Sequence, residues 1–154
     1  MRFDPHPEPI GQHAEGVMYA GTAIAGALSE TFQATRTIDT ASYQPQLTAW
    51  RPTRELRLLD LTGTWALRNQ AAYALSTAPK PTCRAWARAI RGTWPDLDGL
   101  WAPSTMTGAP NVVLWNPAAS SFPASPSFSR PLADPTVRAI VTRVASRELG
   151  YRVV

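Results

Sequence analysis

The sequence predicts an α+β fold, and three observations lead there. Short apolar runs alternate with segments of helical periodicity. No glycine-rich phosphate loop joins a strand to a helix. At 154 residues, 44% of them hydrophobic, the chain suits one compact domain with a real core. Pattern alone goes no further than this class.

The elements follow in order. Met1–Gly16 is rich in Pro and His and reads as a loop. Val17-Met18-Tyr19-Ala20 is a short apolar run that predicts a buried strand. Gly21-Thr22 breaks it, Thr22 is placed to cap, and a helix is expected from about Ala23 to Phe32. Ile24, Ala27, Leu28 and Thr31 fall at helical spacing, and Ala23, Ala27 and Glu30 form an adjacent stripe whose small residues leave room beside the carboxylate. Thr37–Thr53 is polar and irregular, with Pro45 and Pro52.

Glu55–Leu61, around Leu58-Leu59, predicts a second strand ended by Thr62-Gly63. Trp65–Ser76 predicts a helix; Pro79–Pro81 predicts a turn, with Thr82 capping a further helix through Ile90. Pro95–Gly99 carries turn chemistry. Leu100–Ala102 and Asn111–Trp115 read as strands flanking the loop Pro103–Pro110, and Asn116–Pro131 as an extended crossing or loop. The last helix has the strongest signals: Asp134 as cap, Pro135 at the first position, Val137, Ile140, Val141 and Val144 on one face, and Gly150 as terminator.

Composition narrows the function classes. Cys83 is the only cysteine, which excludes an intramolecular disulfide and a Cys-based zinc site and suits a reducing compartment. No signal peptide and no membrane-spanning stretch is read, so the expectation is a cytoplasmic protein. Charged residues are only 17%, so part of the surface is apolar or covered by a partner. The net charge of +4 is almost all arginine, Lys80 being the only lysine. It reflects either base composition or an attraction for anions. Arg84, Arg88 and Arg91 share a helical face that is either solvated or a dock for an acidic partner. Trp50, Trp94 and Trp115 are candidates for a partner interface or for the core. His6 and His13 lack ligand-spaced partners, so no metal is expected. Asp4 and Asp60 read as turn or strand-end residues.

Several stretches together resemble the RES-domain family of toxins. They are Arg2-Phe3-Asp4-Pro5, Val17-Met18-Tyr19-Ala20 with Ala27-Leu28-Ser29-Glu30, Leu58-Leu59-Asp60-Leu61-Thr62-Gly63, Thr82-Cys83-Arg84-Ala85-Trp86-Ala87, and Asp98-Gly99-Leu100-Trp101-Ala102-Pro103-Ser104 with Asn111-Val112-Val113-Leu114. The resemblance spans about residues 2–115. The arginine, glutamate and serine for which the family is named map to Arg2, Glu30 and Ser104.

The resemblance implies an ADP-ribosyltransferase-like mixed sheet with surrounding helices. It implies NAD⁺ as a substrate consumed by hydrolysis or phosphorolysis (NAD⁺ glycohydrolase or NAD⁺ phosphorylase), or ADP-ribose transfer to a protein. The implied partner is a cognate antitoxin with an Xre-like helix-turn-helix domain, with nucleic acid reached only through it and a homo-oligomer as an option. In that picture Glu30, Arg2 and Ser104 are catalytic, and Tyr19, Arg2 and Ser104 bind substrate: Glu30 by stabilising positive charge at the ribose, Arg2 by gripping phosphate, Tyr19 by stacking on nicotinamide and Ser104 by hydrogen bonding. The sequence departs from the family pattern twice. Arg2 follows Met1 directly, where the family has an opening strand, so a missing strand and a binding module with impaired catalysis are expectations too. Ser104 is followed by Thr105-Met106-Thr107-Gly108 without the arginine common in the family.

Overall fold

The structure, a computed structural model, describes every residue except Met1, Ile10, Gln12, Ala14 and Ala72, and the side chains of Tyr73 and Ala74. The parts of the expected opening loop and of the Trp65–Ser76 helix that fall on these positions lie outside the described residues. The class is α+β, with a mixed four-stranded sheet, two two-stranded sheets and several helices. The chain forms two compact units, Met1–Ala20 with Leu56–Ser120, and Gly21–Glu55 with Ser121–Val154.

The first unit is built on the four-stranded sheet, in the order β1-β6-β5-β4. Its strands are β1 (Met18–Gly21, whose last residue begins the second unit), β4 (Leu58–Asp60), β5 (Gly99–Pro103) and β6 (Pro110–Leu114). β4 and β5 run parallel, in register Leu59↔Leu100, and β5 and β6 antiparallel, Leu100↔Val113. The period of two sends Leu100, Ala102 and Val113 into a core with Phe3, Leu61, Leu75 and Trp115. The helix α3 (Lys80–Thr93) adds Cys83, Ala87 and Ile90, spaced i, i+4, i+7. Gly99 is required by close approach: a Cβ there would lie 1.9 Å from the Val113 carbonyl oxygen.

The second unit holds α1 (Ile24–Phe32), β2 (Thr37–Ile38), β3 (Gln46–Ala49), β7 (Phe128–Pro131), α4 (Pro135–Val144) and β8 (Arg152–Val153). β2 pairs parallel with β8, and β3 antiparallel with β7. Leu28, Ile38, Leu132, Val137, Val141, Ala145 and Tyr151 form its core. The Asp134 carboxylate accepts from the Thr136 and Val137 N–H groups at 3.0 and 3.2 Å, which is the expected cap. α4 continues into one π-helical turn, Ala145–Leu149, and Gly150 at φ 65° ends it.

Several local expectations are corrected. The α1 cap position is Ala23, not Thr22, and no side chain caps it. Thr31 is exposed, its hydroxyl turned back to the Ala27 carbonyl at 2.8 Å, and the buried face of the helix is Gly26, Leu28 and Ser29. Thr82 lies inside α3: Pro79 precedes the helix and Pro81 sits in its first turn, where a missing N–H costs nothing. The helix from Trp65 stops at Arg68 (α2, Trp65–Arg68), Gln70 turns left-handed at φ 61°, and a 3₁₀ turn, Tyr73–Thr77, follows. Thr37–Thr53 contains β2 and β3, and the run after Asn116 forms a 3₁₀ turn, Asn116–Ser121, and β7.

Candidate active site

The first of the predicted residues, Arg2, is anchored within its unit. Its Nη1 donates to the Ala78 carbonyl and lies 3.7 Å from the Cys83 sulfur at the start of α3. Phe3 carries the segment into the core, 3% exposed. Its carbonyl accepts from the Trp115 indole N–H at 3.3 Å, and its own N–H donates to the Tyr19 hydroxyl at 2.7 Å. Burial of this apolar residue supplies the hold that a terminal arginine needs to be placed at all.

Tyr19 stands on β1 and packs against the same core. Burial pushes its phenol far above the usual range, because the anion would lose water; the Phe3 N–H and the charge of Arg84 offset this only in part. Its oxygen is therefore a neutral hydroxyl that binds the chain segment next to Arg2. The packing fits the expected buried strand, whereas the hydroxyl's partner carries no sequence signal, because Phe3 and Tyr19 meet only in the folded chain.

Ser104 follows β5 and is buried, 6% exposed. Its hydroxyl oxygen accepts from the Met106 and Thr107 N–H groups at 3.0 and 3.2 Å. Its backbone N–H donates to the Ala109 carbonyl at 2.8 Å, and its carbonyl accepts from the Gly108 N–H at 3.0 Å. The serine thus closes the hairpin loop between β5 and β6, with Gly108 at φ 72° permitting the turn.

Glu30 belongs to the second unit, in the last turn of α1, partly buried. Ala27 on the same stripe is partly buried, and Ala23 is exposed. Gly21 allows β1 to turn into this helix: a Cβ there would meet the Ala27 nitrogen at 2.5 Å. Arg2, Tyr19 and Ser104 lie in the first unit, and Phe3 links the first two directly.

The arginine face of α3 is engaged rather than merely solvated. Arg88 donates to the His6 carbonyl at 3.3 Å, and Arg91 pairs with Glu15. Asp4 Oδ1 accepts from the His6 N–H at 3.0 Å and lies 2.6 Å from His6 Nδ1. Burial of Asp4 raises its carboxyl, but the two His6 bonds outweigh this and hold it below the usual range. Asp60 closes its expected turn on Thr62 at 2.7 and 2.6 Å. Asp98, expected as part of the Pro95–Gly99 turn, is a buried carboxylate; it accepts from the Arg57 N–H at 2.8 Å and ties the approach to β4 onto β5. Trp115 proves to be core, while Trp50 and Trp94 are exposed. Among the described residues, no group of three or more His, Cys, Asp or Glu is placed to hold a metal ion, and no helix is long and apolar enough to cross a membrane.

The family model of the RES domain matches residues 1–135, well beyond the stretch that carries the motifs, and the chain belongs to the RES-domain family. Membership is consistent with an NAD-utilising toxin fold. No curated protein and no solved structure shows significant similarity to the chain.

Proposed function

We propose that the protein degrades NAD⁺ by cleaving the bond between nicotinamide and ribose, as the toxin of a toxin–antitoxin pair. The family match over residues 1–135 carries this reading. Arg2, Glu30 and Ser104, the residues for which the family is named, support it.

Nicotinamide leaves as a neutral molecule, taking the electron pair of the C–N bond, so the ribose develops oxocarbenium character. Glu30 is the fixed carboxylate that stabilises this cation and orients the attacking group. Arg2 grips the diphosphate, its guanidinium matching paired oxygens. The Tyr19 ring stacks on nicotinamide, and Ser104 hydrogen-bonds the amide or a ribose hydroxyl, without acting as a nucleophile. Water or phosphate accepts the ADP-ribose. The ADP-ribosyltransferase-like architecture, the cytoplasmic location where NAD⁺ is available, and an Xre-like helix-turn-helix antitoxin belong to the same reading. No metal is needed, because the leaving group is already good.

Purified protein incubated with NAD⁺, with and without inorganic phosphate, tests the proposal. The expected result is release of nicotinamide, reduced about 10²- to 10⁴-fold in Glu30→Gln at unchanged thermal stability. Labelled ADP-ribose retained on a protein band in cell extract would instead establish transfer. A folded protein with no turnover under any of these conditions, extract included, rejects the enzyme and leaves a binding module.

A further inference from the structure

The segment after Arg2 makes a set of contacts that the proposed chemistry does not use. Asp4 Oδ1 takes both the backbone N–H and Nδ1 of His6. An Nδ1–H donated to that carboxylate leaves Nε2 as the only other polar atom of the ring. Nε2 is buried and has no hydrogen-bond partner among the described residues. The His13 ring lies flat against His6, with centroids 4.2 Å apart and planes 4° from parallel. From α3, Arg88 holds the His6 carbonyl, and Arg91 holds Glu15.

A solvated loop would turn an imidazole outward to satisfy both nitrogens. Here the ring stays in, held by a carboxylate, a stacked imidazole and an arginine on its carbonyl. The charged and titratable groups around it are Asp4, His13, Glu15, Arg88 and Arg91. Of these, Asp4 and Arg88 bond directly to His6 in the stretch that begins at Arg2, which Tyr19 and Trp115 grip at Phe3.

We propose that Asp4, His6 and Arg88 are positioning residues for Arg2, forming a clasp that fixes residues 2–6 on α3 so that the guanidinium is preorganised for its anion. The inference rests on the reading that Arg2 binds the dinucleotide. Preorganisation acts on binding, because an arginine that must be ordered at each encounter loses affinity without changing the bond-breaking step.

Steady-state NAD⁺ consumption by wild type, Arg2→Ala, His6→Leu, His6→Asn and Arg88→Gln tests it. His6→Leu and Arg88→Gln should raise KM about tenfold with kcat held within about twofold. His6→Asn keeps an N–H where Nδ1 stood and should restore KM, which a merely structural role would not require. Amide hydrogen exchange at Phe3, read without any turnover, should quicken in His6→Leu and Arg88→Gln and stay slow in His6→Asn. Unchanged KM in an active His6→Leu enzyme, or unchanged Phe3 exchange, overturns the clasp. If His6→Leu does not fold, Arg88→Gln and His6→Asn decide by the same two readouts. An enzyme insensitive to Arg2→Ala, or a protein inactive towards NAD⁺, counts against the functional reading, and Phe3 exchange still decides the clasp.

Discussion

The backbone N–H of Phe3 donates to the phenolic oxygen of Tyr19 at 2.7 Å, joining the start of the chain to β1. The two motif residues Arg2 and Tyr19 are thereby coupled through one hydrogen bond. The tyrosine ring is partly buried and packs against the core of its unit, and its hydroxyl serves the segment at Phe3.

Tyr19→Phe separates those roles. The ring is kept, but the Phe3 N–H is left without its acceptor in a partly buried place. A loss of about 1–3 kcal/mol in unfolding free energy is expected. Urea denaturation measures it, and a variant as stable as wild type would show that water replaces the hydroxyl.

Alkaline pH should act through the same phenol. Its folded-state pKa is raised by burial, so the folded protein holds a proton that the unfolded chain releases above about pH 10. The contribution is complete below that pH and is lost as pH rises beyond it. Denaturation midpoints between pH 8 and 11 should fall more steeply for wild type than for Tyr19→Phe, on the order of a kcal/mol per pH unit for this one group. Parallel curves would contradict the assignment.

Ser104→Ala removes the acceptor for the Met106 and Thr107 N–H groups. The expected cost is about 1–2 kcal/mol, with faster amide exchange confined to the loop between β5 and β6. Ser104→Asp, which still offers an oxygen, should recover much of the stability. A turnover defect in that stable variant would then report a role of the hydroxyl in the reaction.

Gly99→Ala should abolish folding. The added methyl would lie 1.9 Å from a backbone oxygen of β6, which no side-chain movement relieves. A cost above about 4 kcal/mol consumes most of a typical domain's stability. Gly92→Ala in α3 is the control: nothing lies within 4 Å of its Cβ, and a gain of about 0.5–1 kcal/mol is expected from helix propensity. Circular dichroism and soluble yield distinguish the two outcomes.

Legibility in the sequence tracked the range of the forces involved. α4 was readable because Asp134, Pro135 and Gly150 act on their immediate neighbours. β1, β5 and β6 were readable because their apolar runs are bounded by glycine and proline. β2 and β8 were not: each is two residues long, and they pair across more than a hundred positions. β3 and β7 are polar or exposed along most of their length, so no hydrophobic alternation marks them. The break at Gln70 was equally hidden, since a left-handed glutamine carries no local signal.

The chain's own order of residues determined its class, its family and the four groups on which its chemistry is proposed to depend, because composition, short-range caps and motif spacing are properties of neighbours along the backbone. Only the tertiary structure decided what those groups touch. That Arg2 meets the Ala78 carbonyl, that Tyr19 receives the Phe3 amide, and that the arginines of α3 hold the opening segment are contacts between positions up to 82 apart. Such pairings are selected by burial and by the need to satisfy polar groups once the core has closed, and neither requirement is written in local sequence.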